Sequence, residues 1–193
     1  MPLTKEHKQK SREKILISAL ALFSKRGFDR VSINDVMQHA GLTRGAFYAH
    51  FESKEDLYAQ AISNWPEQSG IVKEYFKGLR GKEFVAKAIN GYLSRNHLNQ
   101  AIPCPLASLV TDVANNNEKI REVYTDVYNK LVTVMNKEST LSESKKNDDM
   151  MMAVTAMMVG GVAVGRALVD PDLTDRLLES CRSVAHLLVE GEA

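Results

Sequence analysis

A short segment of the chain carries side chains of the kinds that contact nucleic acid. Arg44 presents a guanidinium, which can pair with two acceptors of guanine in a major groove, and the hydroxyl of Thr43 lies beside it. Tyr48, His50 and Lys54 follow, and their polar ends are of the kind that bind phosphates. This spacing predicts a surface in which Arg44 and Thr43 contact base edges and the other three contact the DNA backbone. The full set of predicted DNA contacts is Ser32, Thr43, Arg44, Gly45, Ala46, Tyr48, His50 and Lys54.

Two short helices joined by a glycine turn would position these side chains. Apolar residues recur at i, i+3, i+4 and i+7 between Ile33 and Ala40, which places one apolar stripe on the first helix. Ser32 can cap that helix, Asp35 three residues later completes a capping box, and Gly41 supplies the left-handed residue at its end. The pattern predicts a helix-turn-helix, whose second helix presents its first turn to the major groove.

The neighbouring segments would complete a three-helix core around this motif. Thr43 can cap the second helix, and Phe47 and Phe51, four residues apart, share a face that can dock on the core. Ser53 can open a third helix, with Asp56 completing a second capping box. A longer upstream helix, which stops at Gly27, contributes an apolar face formed by Ile15, Leu16, Ala19, Leu20, Leu22 and Phe23.

The order and spacing of these motifs resemble the DNA-binding domain of the tetracycline-repressor (TetR) family of regulators. The matching runs are the apolar helix at 15–27, then VSI at 31–33, AGLTRG at 40–45, FYAHF at 47–51 and SKEDL at 53–57. Only Ala49 departs, because it is smaller than the polar or aromatic residue often found there. The resemblance covers about the first third of the chain. It implies an all-α homodimeric repressor with a helix-turn-helix domain at 1–54 and a helical effector-binding and dimerisation domain at 55–193.

Charge is distributed unevenly along the 193 residues. The net charge is only +1, but the first 54 residues hold ten Lys and Arg against five Asp and Glu, and the remainder holds fifteen against nineteen. A basic amino-terminal part favours contact with phosphates. The basic run near the start either adds to this attraction or forms a solvated helix face, and both interpretations stay open. The run consists of Lys5, Lys8, Lys10, Arg12 and Lys14.

Other function classes find little support in the sequence. We see no phosphate-binding glycine loop, no nucleophile elbow and no paired Cys or His spacing, so no enzyme, metal site or cofactor is expected. A polar amino terminus and two distant cysteines favour the cytoplasm. The uncharged run 150–165 falls short of the ~20 apolar residues that a membrane-spanning helix needs. A buried core or dimer helix explains this run better, so no membrane association is expected.

The chain beyond Lys54 is predicted to be helical almost throughout. The third helix should run from Glu55 to Trp65 and connect the two domains. Further helices are expected at 82–98, 106–114, 118–136, 146–168 and 172–189. The breaks between them are marked by Pro103-Cys104-Pro105, by three asparagines at 115–117, by the polar segment 139–144 and by Asp170-Pro171.

The last two predicted helices carry an apolar surface that suggests a second subunit. Apolar residues recur at spacings of three and four, and the stripe that they form is too wide to stay exposed to solvent. Part of the stripe can pair within the chain, and the rest would form a four-helix interface between two protomers. The predicted interface residues are Met157, Gly161, Leu173, Leu177, Cys181, Val184 and Leu188.

The effector site is the least determined part of the sequence. Pockets between helices are mainly apolar with a few polar groups, and the residues that fit this description are Trp65, Tyr92, His97, Cys104, Tyr124 and Tyr128. Two alternatives to a repressor released by an apolar or aromatic effector stay open. Cys104, set between prolines with His97 as a conceivable neighbour, could be a redox or electrophile sensor, or a small buried residue. The basic headpiece would also suit a DNA-architectural protein that needs no ligand.

Overall fold

The computed structural model describes residues 5–64, 77–139 and 145–190, and these ranges contain helices and no strand. The all-α prediction is confirmed. The helices are α1 Lys5–Arg26, α2 Ile33–His39, α3 Arg44–Phe47, α4 Lys54–Ser63, α5 Gly81–Tyr92, α6 Arg95–Leu98, α7 Pro105–Ser108, α8 Val110–Ala114, α9 Glu118–Glu138, α10 Lys145–Ala167 and α11 Pro171–Glu190.

The first four helices, which we call the headpiece, form a small core. The six apolar residues predicted on α1 are all buried. The capping box of α2 is present: the Ser32 hydroxyl accepts a hydrogen bond from the Asp35 amide at 3.1 Å, and the Asp35 carboxylate accepts one from the Ser32 amide at 2.8 Å. Gly41 ends α2 with a φ of +68°, a backbone conformation that residues with a Cβ rarely adopt. The predicted capping box of α2 and the glycine that ends this helix are confirmed.

Two of the predicted caps differ from the structure. Thr43 occupies the N-cap position of α3, but its side chain makes no capping hydrogen bond. Ser53 caps α4 by accepting from the Asp56 amide at 3.1 Å, whereas the Asp56 carboxylate accepts from the amide of Glu52 and not from that of Ser53. The second capping box is therefore displaced by one residue, because the extended backbone at Ser53 brings the preceding amide within reach of the carboxylate.

The chain divides into two compact units, Met1–Gly70 with Cys104–Val127, and Ile71–Pro103 with Tyr128–Ala193. The first unit contains the headpiece together with α7, α8 and the beginning of α9, which lie more than 100 residues from the start of the chain. The sequence predicts a boundary at Lys54, so this grouping differs from it. Its physical reason is that α7 packs against α1 and that Asp112 of α8 hydrogen-bonds to Tyr58 of α4.

Two helices predicted as continuous are interrupted. The predicted helix at 82–98 ends at Tyr92, and Ser94 begins α6 by accepting a hydrogen bond from the His97 amide at 3.1 Å. The predicted helix at 106–114 is broken at Leu109, whose φ of −113° is not helical. The third helix of the headpiece, predicted to reach Trp65, is described only to Ser63, and Trp65 lies outside the described residues.

The second unit is organised around the pair α10 and α11. Gly161 and Gly165 lie where α10 contacts its neighbours: an added Cβ would stand 2.8 Å from Leu93 at the first position and 2.8 Å from Leu98 at the second. The segment Asn147–Ala167 is long and apolar enough to cross a membrane by length and composition, with a mean hydropathy of 1.5. This helix packs against α5, α6 and α11, so its apolar residues are explained by a position in the core.

Candidate nucleic-acid interface

The turn around α3 presents its side chains on a rigid support. Phe47 and Phe51 are buried with their ring centroids 5.7 Å apart, so they anchor the backbone of this segment to the core. Arg44 and Gly45 are exposed at the start of α3, and Tyr48 is 61% exposed just after its end. The hydroxyl of Thr43 is exposed too, since it is not used in a cap. Thr43, Arg44 and Tyr48 are therefore exposed on one short segment, whereas His50 and Lys54 are half-buried.

A first cleft, which we call the α2-side cleft, opens at the beginning of α3 and has a volume of about 370 Å³. Lys54 enters it with its ammonium 4.1 Å from the ring centroid of Phe28, close enough for a cation–π contact that orients the side chain. Asp35 lies in the cleft but is engaged with Ser32, whose hydrogen bonds lower the pKa of that carboxyl. The lining residues are Asp29, Arg30, Val31, Ser32, Ile33, Asn34, Asp35, Arg44 and Lys54.

A second cleft, the α1-side cleft, has a volume of about 320 Å³ and adjoins the other end of the same segment. Its lining contains cations and no carboxylate: Lys5, Lys8, Gln9, Arg12, Ala49 and His50. Arg12 is held in place, because it donates a short hydrogen bond to the Gln60 side chain and lies 5.6 Å from the Phe51 ring centroid. The structure thus divides the basic run near the start of the chain, since Lys10 instead pairs with Glu6 at 2.7 Å on the exposed surface.

His50 gives the α1-side cleft a specific feature. Its Nδ1 atom is buried and has no hydrogen-bond partner among the described residues. Burial, followed by the charges of Lys8 and Arg12, lowers the pKa of His50. An anion placed beside Lys8 and Arg12 would offset the repulsion between these two charges and would favour the protonated form of His50.

The sequence predicts phosphate contacts for His50 and Lys54 but leaves open whether the basic residues of α1 contact phosphates. Their spacing does indicate a common surface, because Lys5, Lys8 and Arg12 lie at i, i+3 and i+7 and therefore share one helix face. What the sequence alone does not show is that this face borders His50, since the two segments are about forty residues apart in the chain.

The predicted effector residues are not all brought together. The rings of Tyr92 and His97 lie with their centroids 4.4 Å apart and their planes tilted by 37° in the second unit. The Tyr124 hydroxyl donates to the Leu106 carbonyl at 2.6 Å in the first unit, and the Tyr128 hydroxyl donates to the Met152 carbonyl at 2.9 Å in the second. These hydroxyls are engaged in holding helices together. The remaining two predictions are Trp65, outside the described residues, and Cys104, which is buried and only 3% exposed.

The predicted interface residues fall into two groups. Leu173 and Val184 are 44% and 46% exposed on α11, and Leu177, Leu188 and Met157 are half-buried. Gly161 and Cys181 are instead used within the subunit, because an added Cβ on the glycine would stand 3.2 Å from the cysteine sulfur. Among the described residues no cluster of three or more His, Cys, Asp or Glu could hold a metal ion.

Comparisons with known proteins bear on the headpiece and on the whole fold separately. Residues 15–61 match the family model described as bacterial regulatory proteins, tetR family. The transcriptional regulator AcrR of Shigella flexneri is 44% identical over 57 residues, which are 30% of this chain and 26% of that protein. The transcriptional regulator YfiR of Bacillus subtilis (strain 168) is 37% identical over 96 residues, 40% of this chain and 47% of that protein. The chain thus spans less than half the length of these relatives.

Solved structures resemble the chain over nearly its full length. The reduced form of NemR from E. coli superposes with a TM-score of 0.75 at 16% identity, over 91% of this chain and 95% of that one. A transcriptional regulator of the TetR family from Cytophaga hutchinsonii superposes with a TM-score of 0.70 at 19% identity, over 99% of this chain and 98% of that one. At these identities the likeness establishes the fold.

Proposed function

We propose that this chain, whose residues 15–61 match the model of the tetR family of bacterial regulatory proteins, is a repressor that binds a palindromic DNA operator as a homodimer. A small apolar or aromatic effector releases it, and it acts in the cytoplasm. The observation that carries the DNA-binding part is a pair of clefts at opposite ends of the exposed segment 44–50. The α1-side cleft is lined by cations without a carboxylate, and the α2-side cleft is lined by three cations and two carboxylates. This segment can enter a major groove while the clefts take the phosphates on its two sides.

Each group has a distinct role in the proposed complex. Arg44 is the long exposed side chain of α3, so it reads base edges, with Thr43 beside it. Lys54 in the α2-side cleft and His50 with Lys8 in the α1-side cleft bind phosphates. A bidentate contact of Arg44 to guanine provides about 1–3 kcal/mol of discrimination, whereas phosphate contacts give affinity without sequence preference.

The experiment begins by selecting duplexes from a random library with the wild-type protein. Arg44→Ala should flatten the ranking of the selected duplexes. Lys54→Ala and Lys8→Ala should weaken all duplexes alike. Each should reduce the slope of log affinity against log salt by about 1.8, because a dimer loses two phosphate contacts. Lys10→Ala is the matched control, because this lysine lies on the same helix as Lys8 but pairs with Glu6 outside the cleft. An unchanged ranking in Arg44→Ala would remove that residue from base reading.

The homodimer is supported by the apolar face that α10 and α11 leave exposed. Val184 and Leu173 on α11 and Val164 on α10 are between 44% and 51% exposed, and an added Cβ at Gly160 meets nothing within 4 Å. A second copy of the same face would bury these side chains, and small residues on α10 allow close helix packing. A palindromic operator needs two headpieces, which is why we commit to a second copy of this chain as the partner.

A matched pair of substitutions tests this interface. Val184→Asp would bury a carboxylate in the proposed contact, at a cost of several kcal/mol, and should give monomers that bind DNA weakly. Val134→Asp on α9 starts from the same exposure of 46% and should leave the dimer intact. Sedimentation that finds a stable dimer for Val184→Asp would place the interface elsewhere.

The effector part of the proposal rests on α4. This helix begins at Lys54 in the α2-side cleft and leads along the chain toward its carboxy-terminal part, so a shift at one end moves a phosphate contact. Release requires that the effector favour the mismatched arrangement by about 1–3 kcal/mol. A thermal-shift screen of metabolites and xenobiotics, followed by release assays on the selected duplex, tests it. A ligand that stabilises the protein without changing duplex affinity would contradict the mechanism for that ligand.

The two alternatives predict different outcomes in the same assays. Release by oxidants alone, abolished in Cys104→Ser, would indicate a thiol sensor, although the 3% exposure of Cys104 favours a packing role for this residue. DNA binding that no ligand in the panel alters would favour an architectural protein.

A further inference from the structure

One carboxylate, that of Asp112 in the middle of α8, binds the headpiece at two places. Its Oδ1 atom accepts a hydrogen bond from the backbone N–H of Phe28 at 3.0 Å, and its Oδ2 atom accepts one from the Tyr58 hydroxyl at 2.5 Å. The two partners lie 84 and 54 residues before it in the chain. We propose that Asp112 is a positioning residue for DNA binding, which fixes the α1–α2 loop and α4 in the arrangement that forms the α2-side cleft.

The backbone at the α1–α2 loop is shaped to receive this carboxylate. Gly27 has a φ of +78°, and a Cβ added there would stand 2.9 Å from Oδ1 of Asp112. A Cβ at this position would force the Asp112 carboxylate to shift, and the left-handed backbone would strain a residue other than glycine. The left-handed turn also frees the next amide, that of Phe28, to donate to the carboxylate.

Both partners of Asp112 adjoin a predicted phosphate contact. The ring of Phe28 lies against the ammonium of Lys54, 4.1 Å from centroid to nitrogen. Asp29 and Arg30, directly after Phe28, are the first residues that line the α2-side cleft. Tyr58 lies four residues after Lys54, one turn further along α4. A movement of Asp112 would therefore displace the ring that supports Lys54 and the helix that carries it.

The Tyr58 hydroxyl is well suited to a permanent hydrogen bond. Its side chain is fully buried, with ring centroids 4.9 Å from Phe23 and 5.0 Å from Phe28. Burial, followed by the hydrogen bond and charge of Asp112, raises the pKa of Tyr58, so the phenol keeps its proton and donates. Hydrogen bonds to a charged acceptor are stronger than neutral ones, and this one is largely shielded from water.

The segment that carries Asp112 is itself tied to the rest of the first unit. Leu106, in the preceding helix α7, has its carbonyl bound by the Tyr124 hydroxyl of α9 at 2.6 Å. A displacement of α7 and α8 would consequently reach the headpiece through Asp112. This regulatory consequence rests on the proposed function, whereas the anchoring of the loop and of α4 does not.

Two conservative variants test the proposal. Asp112→Asn keeps the size of the side chain but leaves one acceptor oxygen for two donors, and Tyr58→Phe keeps the ring and removes the donor. Amide hydrogen exchange at Phe28 is measured without DNA, and the affinity for a duplex selected by the wild-type protein is measured separately. Asp112→Asn should accelerate exchange at Phe28, and both variants should weaken duplex binding by about tenfold, as expected for one to two hydrogen bonds. Thr125→Val, which removes an exposed hydroxyl that donates to the Arg121 carbonyl within α9, is the control and should change neither quantity.

A double-mutant cycle separates positioning from general destabilisation. If Asp112 acts by positioning Lys54, then Asp112→Asn combined with Lys54→Ala should bind no worse than Lys54→Ala alone. The same substitution combined with Lys8→Ala, in the other cleft, should give additive losses. Faster exchange with wild-type affinity, or additivity with both lysines, would overturn the role in DNA binding. Unchanged exchange would overturn the anchoring itself, and a wild-type protein that selects no duplex would contradict the proposed function before any variant is compared.

Discussion

His97 should make the folded protein sensitive to acid, and the size of the effect follows from its surroundings. The imidazole lies against Tyr92 with the ring centroids 4.4 Å apart, and its Nε2 atom is buried with no hydrogen-bond partner among the described residues. Burial, followed by the charge of Arg166, lowers the pKa of His97 to about 4. The replacement to make is His97→Phe, which keeps an aromatic ring beside Tyr92 and removes the titratable group.

The sign and magnitude follow from the difference between the folded and unfolded pKa values. An unfolded histidine titrates near pH 6.5, so the unfolded chain binds a proton before the folded one does. Stability is therefore lost as the pH falls through the window between about 6.5 and about 4. With about 1.36 kcal/mol per pKa unit, His97 removes about 2 kcal/mol of unfolding free energy at about pH 5, and about 3 kcal/mol below pH 4.

Urea unfolding at about pH 7.5 and about pH 5, at fixed protein concentration, measures this loss. The wild-type protein should lose more unfolding free energy than His97→Phe, by about 2 kcal/mol. His39→Gln, which removes an exposed histidine from α2, should retain the wild-type loss. Equal acid losses in the wild type and in His97→Phe would refute the assignment of a buried, neutral imidazole.

Three further substitutions test local features of the fold by thermal or urea unfolding. Ser32→Ala removes the N-cap of α2 and should cost about 1 kcal/mol, with a loss of headpiece helix visible by circular dichroism. Gly161→Ala would place a Cβ 2.8 Å from Leu93 and should cost about 1–3 kcal/mol, whereas its control Gly160→Ala, with nothing within 4 Å, should keep the subunit fold. Gly41→Ala meets no neighbour within 4 Å but has a φ of +68°, so backbone strain alone should cost about 1–2 kcal/mol. If Ser32→Ala unfolds with the wild-type free energy, the N-cap contributes no stability. The same result for Gly161→Ala would contradict the close contact with Leu93, and for Gly41→Ala it would contradict the backbone strain.

The headpiece could be predicted from the sequence because its signals are local. The capping box joins Ser32 to Asp35, three positions later, and Gly41 ends the helix that the box begins. Both signals can therefore be recognised without the rest of the chain. The same locality explains the errors. Apolar neighbours at helical spacing predict a helix that continues through Ser94, but the hydroxyl of this residue caps a new helix instead.

Contacts between segments that are distant in the chain leave no local pattern in the sequence from which they could be predicted. Asp112 lies in the five-residue helix Val110–Ala114, and nothing in the sequence of this helix points to an amide 84 residues earlier. The α1-side cleft combines one face of α1 with His50. The helical periodicity of either segment shows which residues share a face, but not that these two segments meet. The effector residues Tyr92 and Tyr128 are predicted from residue type and not from spacing, and the structure shows Tyr128 bound to a backbone carbonyl.

The shortness of α3 constrains how an operator can be recognised. The helix has four residues, Arg44–Phe47, of which Gly45 and Ala46 are small and Phe47 is buried, so one long side chain per protomer is left to read bases. One bidentate contact gives about 1–3 kcal/mol of discrimination, which is too little for a specific site unless two protomers combine. Affinity must then come mainly from phosphates. With one cation from each cleft, a dimer would neutralise about four phosphates, and the slope of log affinity against log salt would be about −3.6. A clearly shallower slope would mean that one of the two clefts does not contact the backbone, and a reduced salt dependence in Lys8→Ala or in Lys54→Ala would identify which cleft does.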